Sequence, residues 1–111
     1  MLRVRETLEI SIPLEGLDAK QVEEVVARET REFRKRLMIS LFGELERVVL
    51  EKKGRRVVKR GKVERYLCTR FGWIRYDRQK VRHEEEEGKR YGFPLDEALG
   101  LRPHQDRKSV V

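Results

Sequence analysis

The sequence predicts an α+β fold in the order N-terminal strand, one long amphipathic helix, a small antiparallel β hairpin or meander, and a short C-terminal helical turn. Three observations carry this. Apolar residues alternate at the start of the chain, recur every three or four residues over the next third, and return to glycine-punctuated, strand-like runs beyond Gly54. With 111 residues there is room for one domain, 1–111, and one modest core.

Within 1–17, Leu2, Val4, Leu8, Ile10 and Ile12 fall on even positions, as in a strand with one buried face, before Pro13 and Gly16 end it. Asp18 is placed to cap a helix over 18–52, with Gln21 at the capping-box position. Val22, Val26, Phe33, Leu37, Leu41, Leu45 and Val48 then draw one stripe, and Gly54 is a natural stop. Unbroken, such a helix is about 50 Å long, whereas a compact domain of this size has a radius of gyration of about 13 Å. Either it breaks near Ser40 to Gly43, or it projects and pairs with a second copy as a homodimer.

From 55 to 94 the pattern is β. Val57 and Val58 are bracketed by basic residues, Gly61 is expected as a turn, and Gly72 joins two strand-like runs in a tight hairpin. In strand form Arg65, Leu67, Thr69 and Phe71 share one face and Tyr66, Cys68 and Arg70 the other, so each face carries an Arg and neither looks suited to burial. Glu84 to Glu87 with Gly88 read as a solvated turn and Tyr91 to Phe93 as a short strand. Over 95–111, a helical turn closed by Gly100 precedes an unpatterned tail.

Charged residues make up 42% of the chain, no apolar run is long enough for a membrane span, and no apolar leader opens it, so a soluble cytoplasmic protein with no membrane partner is expected. The single cysteine, Cys68, excludes an internal disulfide. Asn is absent and Gln occurs three times amid abundant charges of both signs, the balance of a heat-adapted protein. The net charge of +7 is uneven: residues 1–52 carry 10 basic and 11 acidic groups, 53–83 carry 12 and two, and 84–111 carry five and seven. Heat adaptation enriches both signs together and does not explain the centre.

Catalytic patterns are thin. Ser11, Ser40 and Ser109 lack a glycine elbow, and Cys68 has no His placed to activate it. His83 beside Glu84 to Glu87 does not suit a metal, because strand neighbours point to opposite faces. No enzyme activity, catalytic residue, metal or cofactor is therefore expected. The basic centre is different, since Arg and Lys are the groups that neutralise phosphates. Arg55, Arg56, Lys59, Arg60, Lys62, Arg65, Arg70, Arg75, Arg78, Lys80 and Arg82 are the expected nucleic-acid contacts, with DNA favoured over RNA. Of the interleaved aromatics Tyr66, Phe71, Trp73 and Tyr76, packing within the hairpin is expected ahead of stacking on bases.

The run Leu67 to Arg78, Leu-Cys-Thr-Arg-Phe-Gly-Trp-Ile-Arg-Tyr-Asp-Arg, resembles a hairpin found near the N-terminus of prokaryotic insertion-sequence transposases of the ISLre and ISKra type. The stretch Tyr91 to Pro103, with Phe93-Pro94-Leu95-Asp96-Glu97 and Leu99-Gly100-Leu101, is similar to a second segment of the same proteins. The resemblance spans about 20–103 and implies a DNA-related role. In such transposases a catalytic domain of RNase H-like fold follows, whose acidic triad holds two metals. None of Asp18, Asp77, Asp96 or Asp106 matches that triad. The resemblance thus implies a non-catalytic DNA-binding module, or a truncated remnant, without strand-transfer activity. Two other classes remain open at this point: a protein-interaction module whose basic face meets an acidic partner, and a small toxin-like ribonuclease using Tyr76 or His83.

Overall fold

A computed structural model describes residues 1–85 and 88–101. Helix α1 (Ala19–Lys53) is continuous for 35 residues. Its start is fixed as expected, with the Asp18 carboxylate accepting the Gln21 backbone N–H at 2.8 Å. No break occurs at Ser40 to Gly43. Gly43 weakens a helix by only about 1 kcal/mol, and Phe42 and Glu46 on either side of it are both buried. Gly54, at φ 56°, ends the helix through a bond from its N–H to the Leu50 carbonyl.

Strands β1 (Val57–Thr69), β2 (Gly72–Glu85) and β3 (Gly88–Gly92) then form an antiparallel meander in the order β1-β2-β3. Arg70 and Phe71 make the β1–β2 turn, with Thr69 opposite Gly72 and Gly72 at φ 109°. Gly61 is not a turn. The register shifts by one residue between Lys59 and Lys62, so Gly61, at φ 100°, sits in a β-bulge and the strand runs on. Its carbonyl accepts from the Gln79 side-chain amide at 2.9 Å. Burial on β2 changes sides there, from Ile74 and Tyr76 to Gln79, Val81 and His83, in keeping with the added twist of a bulge.

The short helix α2 (Pro94–Ala98) opens on Pro94, whose missing N–H costs nothing at that position. It closes the core: Leu95 joins Phe42, Leu67, Ile74 and Tyr76, with Met38, Leu45, Leu99 and Leu101 at the margin. The Phe42 and Tyr76 rings meet edge to face, 5.1 Å between centroids. The face of α1 on the sheet is therefore Met38, Phe42 and Leu45, one residue round from much of the apolar stripe seen in the sequence.

Two expectations need correction. Residues 2–12 do not form a strand. Val4, Leu8, Ile10 and Ile12 are half-buried and their neighbours exposed, so the two-residue period is present, but Glu6 takes the Ser40 hydroxyl and Ile12 lies beside Val25 and Arg28. Those contacts run the segment along α1 instead of into the sheet. The short strand near the C-terminus ends at Gly92 and does not include Phe93, which caps α2. The tail from 102 onward, with His104 and Asp106, lies outside the described residues, as do Glu86 and Glu87 of the acidic run. The molecule is elongated, with a radius of gyration of 18.4 Å and extents of 67 × 28 × 22 Å, because the sheet meets α1 from about Arg34 onward.

Candidate nucleic-acid interface

The hairpin register sorts the basic centre into two faces. Leu67 pairs with Ile74 and Arg65 with Tyr76 on the inner face, while Cys68 pairs with Trp73 and Tyr66 with Arg75 on the outer one. The inner face holds a charge lock. Arg65, only 2% exposed, donates to the Asp96 carboxylate at 2.7 Å, Arg78 donates to the same oxygen, and the Tyr76 hydroxyl donates to the other at 2.9 Å. The Arg78 guanidinium also lies over the Phe93 ring at 3.8 Å. Burial, and then the Asp96 charge, push the Tyr76 phenol far above its ordinary pKa.

Arg65 is thus buried and Arg78 half-buried, contrary to the sequence expectation that neither Arg-bearing face would be buried. A single carboxylate from α2, three residues past Phe93, makes burial tolerable by pairing both cations. Nothing in the period of β1 or β2 announces this, since Asp96 lies 31 residues from Arg65.

The other expected contacts remain at the surface to different degrees. Arg55, Lys59, Arg60 and Arg70 are exposed, and among the described residues no ion pair holds them. Arg56 turns back to the Lys52 and Lys53 carbonyls at the end of α1. Lys62 is exposed, 3.6 Å from the buried Glu46, whose carboxylate is engaged by the Gln79 backbone N–H at 2.8 Å. Arg75 is exposed and lies 3.7 Å from Glu64. Lys80 is half-buried over the Tyr91 ring, and Arg82 is half-buried and paired with Glu84 at 2.7 Å.

The structure adds cations that the charge count along the chain did not associate with the ribbon. Arg34 of α1 lies over Phe71 at 5.5 Å, and the Lys35 side chain reaches Gly72 so closely that a Cβ there would stand 3.1 Å from it. Together with Arg70 they make the hairpin tip basic. The clue available was the basic cluster Arg31 to Arg36, but pairing it with the tip required the tertiary fold.

The aromatics divide as well. Tyr76 and Phe71 pack, as expected. Tyr66 and Trp73 do not: they are 51% and 50% exposed on the outer face, a correction to the expectation that all four would fill the hairpin. Leu67 belongs to the core, so its strand neighbours Tyr66 and Cys68, and Trp73 opposite Cys68, must point the other way. Glu64 raises the Tyr66 phenol pKa through a hydrogen bond from the hydroxyl. No group of three or more His, Cys, Asp or Glu among the described residues could hold a metal ion, and no helix among them is long and apolar enough to cross a membrane.

The fold is an α+β unit in which a long helix backs a twisted, basic β ribbon. The chain belongs to the uncharacterised protein family UPF0236, whose model matches residues 13–111. No curated protein and no solved structure matches it.

Proposed function

We propose that this chain is a non-catalytic nucleic-acid-binding module that grips phosphates through the exposed cations of its ribbon, with DNA as its ligand. One observation carries the reading: Lys59, Arg60 and Arg70 are exposed with no carboxylate among the described residues holding them, while the ribbon arginines Arg65 and Arg78 point inward and share the Asp96 carboxylate. Free guanidinium and ammonium groups on an extended two-stranded element suit a polyanion. The resemblance to the N-terminal region of insertion-sequence transposases supports DNA in particular. Its two motifs fold onto each other here, the first forming the hairpin tip and the second supplying Asp96 to the hairpin's inner face.

The test is a DNA titration at several salt concentrations, with the variant Lys59→Gln/Arg60→Gln/Arg70→Gln beside the wild type. The wild type should show a steep loss of affinity with salt, and the variant should lower the slope by about 2 to 3, roughly one per phosphate contact removed. Absence of binding at low salt would refute the reading.

A second copy of the chain is the proposed partner of the projecting N-terminal half of α1. Val22 and Val26 are exposed there. Lys20, Glu23 and Glu24 sum to −1, and Arg31, Glu32, Arg34, Lys35 and Arg36 sum to +3, so two antiparallel copies would bring unlike charges together. Sedimentation across a concentration range should show a dimer, and a monomer at all concentrations would refute it.

A further inference from the structure

We propose that the outer face of the β1–β2 hairpin is a stacking platform for unpaired bases, with Trp73 and Tyr66 as its rings, so that the ligand gripped by the ribbon is single-stranded. This rests on the nucleic-acid reading above and narrows it.

The register makes Trp73 and Tyr66 diagonal neighbours on one face, since Trp73 is opposite Cys68 and Tyr66 opposite Arg75. Side chains in that relation are about 7–8 Å apart, within reach of a shared ligand. Each ring is half exposed, although the core beneath holds aromatic residues of its own, Phe42 and Tyr76. Arg75 lies opposite Tyr66 and two residues along β2 from Trp73 on the same face, with a planar guanidinium of the kind that stacks on bases.

The charges around the rings favour bases at the centre and phosphates at the ends. Beside Arg75 the middle of the face carries Glu64 and Asp77, both exposed, which would repel a phosphate placed there. Cations stand at both ends of the ribbon, Arg70 with Arg34 and Lys35 at the tip, and Lys59 and Lys62 at the bulge, where Lys62 also reaches Glu46 of α1. From Lys62 to Arg70 the strand runs eight steps, about 26 Å at the usual rise, which leaves an almost neutral aromatic stretch between two cationic ends. A duplex offers that stretch only stacked bases whose π-faces are hidden. A single strand can lay its bases on the rings while its backbone reaches both ends.

Trp73 is the single tryptophan of the chain, so its fluorescence reports on the platform directly. The full chain is titrated with an oligothymidylate and with a duplex of equal length. The platform predicts quenching by the single strand, weaker quenching by the duplex, and a loss of about tenfold in single-strand affinity for Trp73→Ala and for Tyr66→Ala with duplex affinity unchanged. Salt-dependent binding of both probes with unchanged wild-type fluorescence would overturn the platform and leave the phosphate grip standing. Equal losses on both probes would overturn it too. So would a Trp73 shielded from acrylamide in the free protein, because the face would then be covered by a protein partner. Failure to bind either probe would instead remove the nucleic-acid reading itself.

Discussion

On the inner face of the β1–β2 hairpin Arg65 lies opposite Tyr76, and on the outer face, one residue along, Tyr66 lies opposite Arg75. The two pairs are built from the same residue types. Arg65 and Tyr76 are sealed from water, both bonded to Asp96, whereas Tyr66 and Arg75 stay in it, with Glu64 beside them. Residue type therefore does not decide what these side chains do. The difference comes from what covers each face: α1 and α2 bring Phe42, Leu95 and a carboxylate to the inner side, while Tyr66 and Trp73 on the outer side stay half exposed. One arginine becomes part of the core's architecture and the other stays at the surface, 3.7 Å from Glu64.

That comparison can be broken most severely at its counterion. Asp96→Ala leaves Arg65 and Arg78 without their carboxylate and should cost about 3–5 kcal/mol in denaturant unfolding. A loss below 1 kcal/mol would mean that the inner pair is not locked in the way described. Phe42→Ala removes the ring that covers Tyr76 and should cost about 3–4 kcal/mol, measured in the same way.

A pH titration of stability sharpens the contrast between the two tyrosines. The folded state holds Tyr76 protonated well above the ordinary phenol pKa of about 10. Its contribution is full below that value and is lost as the pH rises above it, because the unfolded chain releases the proton first. Tyr76→Phe should flatten this alkaline loss. The smallest effect is expected outside: Tyr66→Ala should change stability by no more than about 0.5 kcal/mol, and a larger loss would show that the outer ring is structural.

Much of the fold was legible because local signals and packing agree. Asp18, Gly54 and Gly72 mark the helix start, the helix end and the hairpin through backbone chemistry that needs no distant partner. The N-terminal segment shows where a period falls short. Val4, Leu8, Ile10 and Ile12 are half-buried as the period implies, but alternation specifies a face and not a ladder, and the segment lies along α1. Gly61 misled in a similar way, since a glycine at positive φ serves a bulge as well as a turn. The charge count located the basic ribbon but could not sort its members, because Asp96 from one element and Lys35 from another decide which cations are paired and which meet at the tip.

The central claim is that the ribbon's uncommitted cations hold a phosphodiester chain, and the salt dependence of DNA affinity measures it most directly. A log–log slope of several units, reduced by about 2 to 3 when Lys59, Arg60 and Arg70 are made neutral while unfolding stability is retained, is the expected result. A flat slope, or a steep one that this variant leaves untouched, would contradict it.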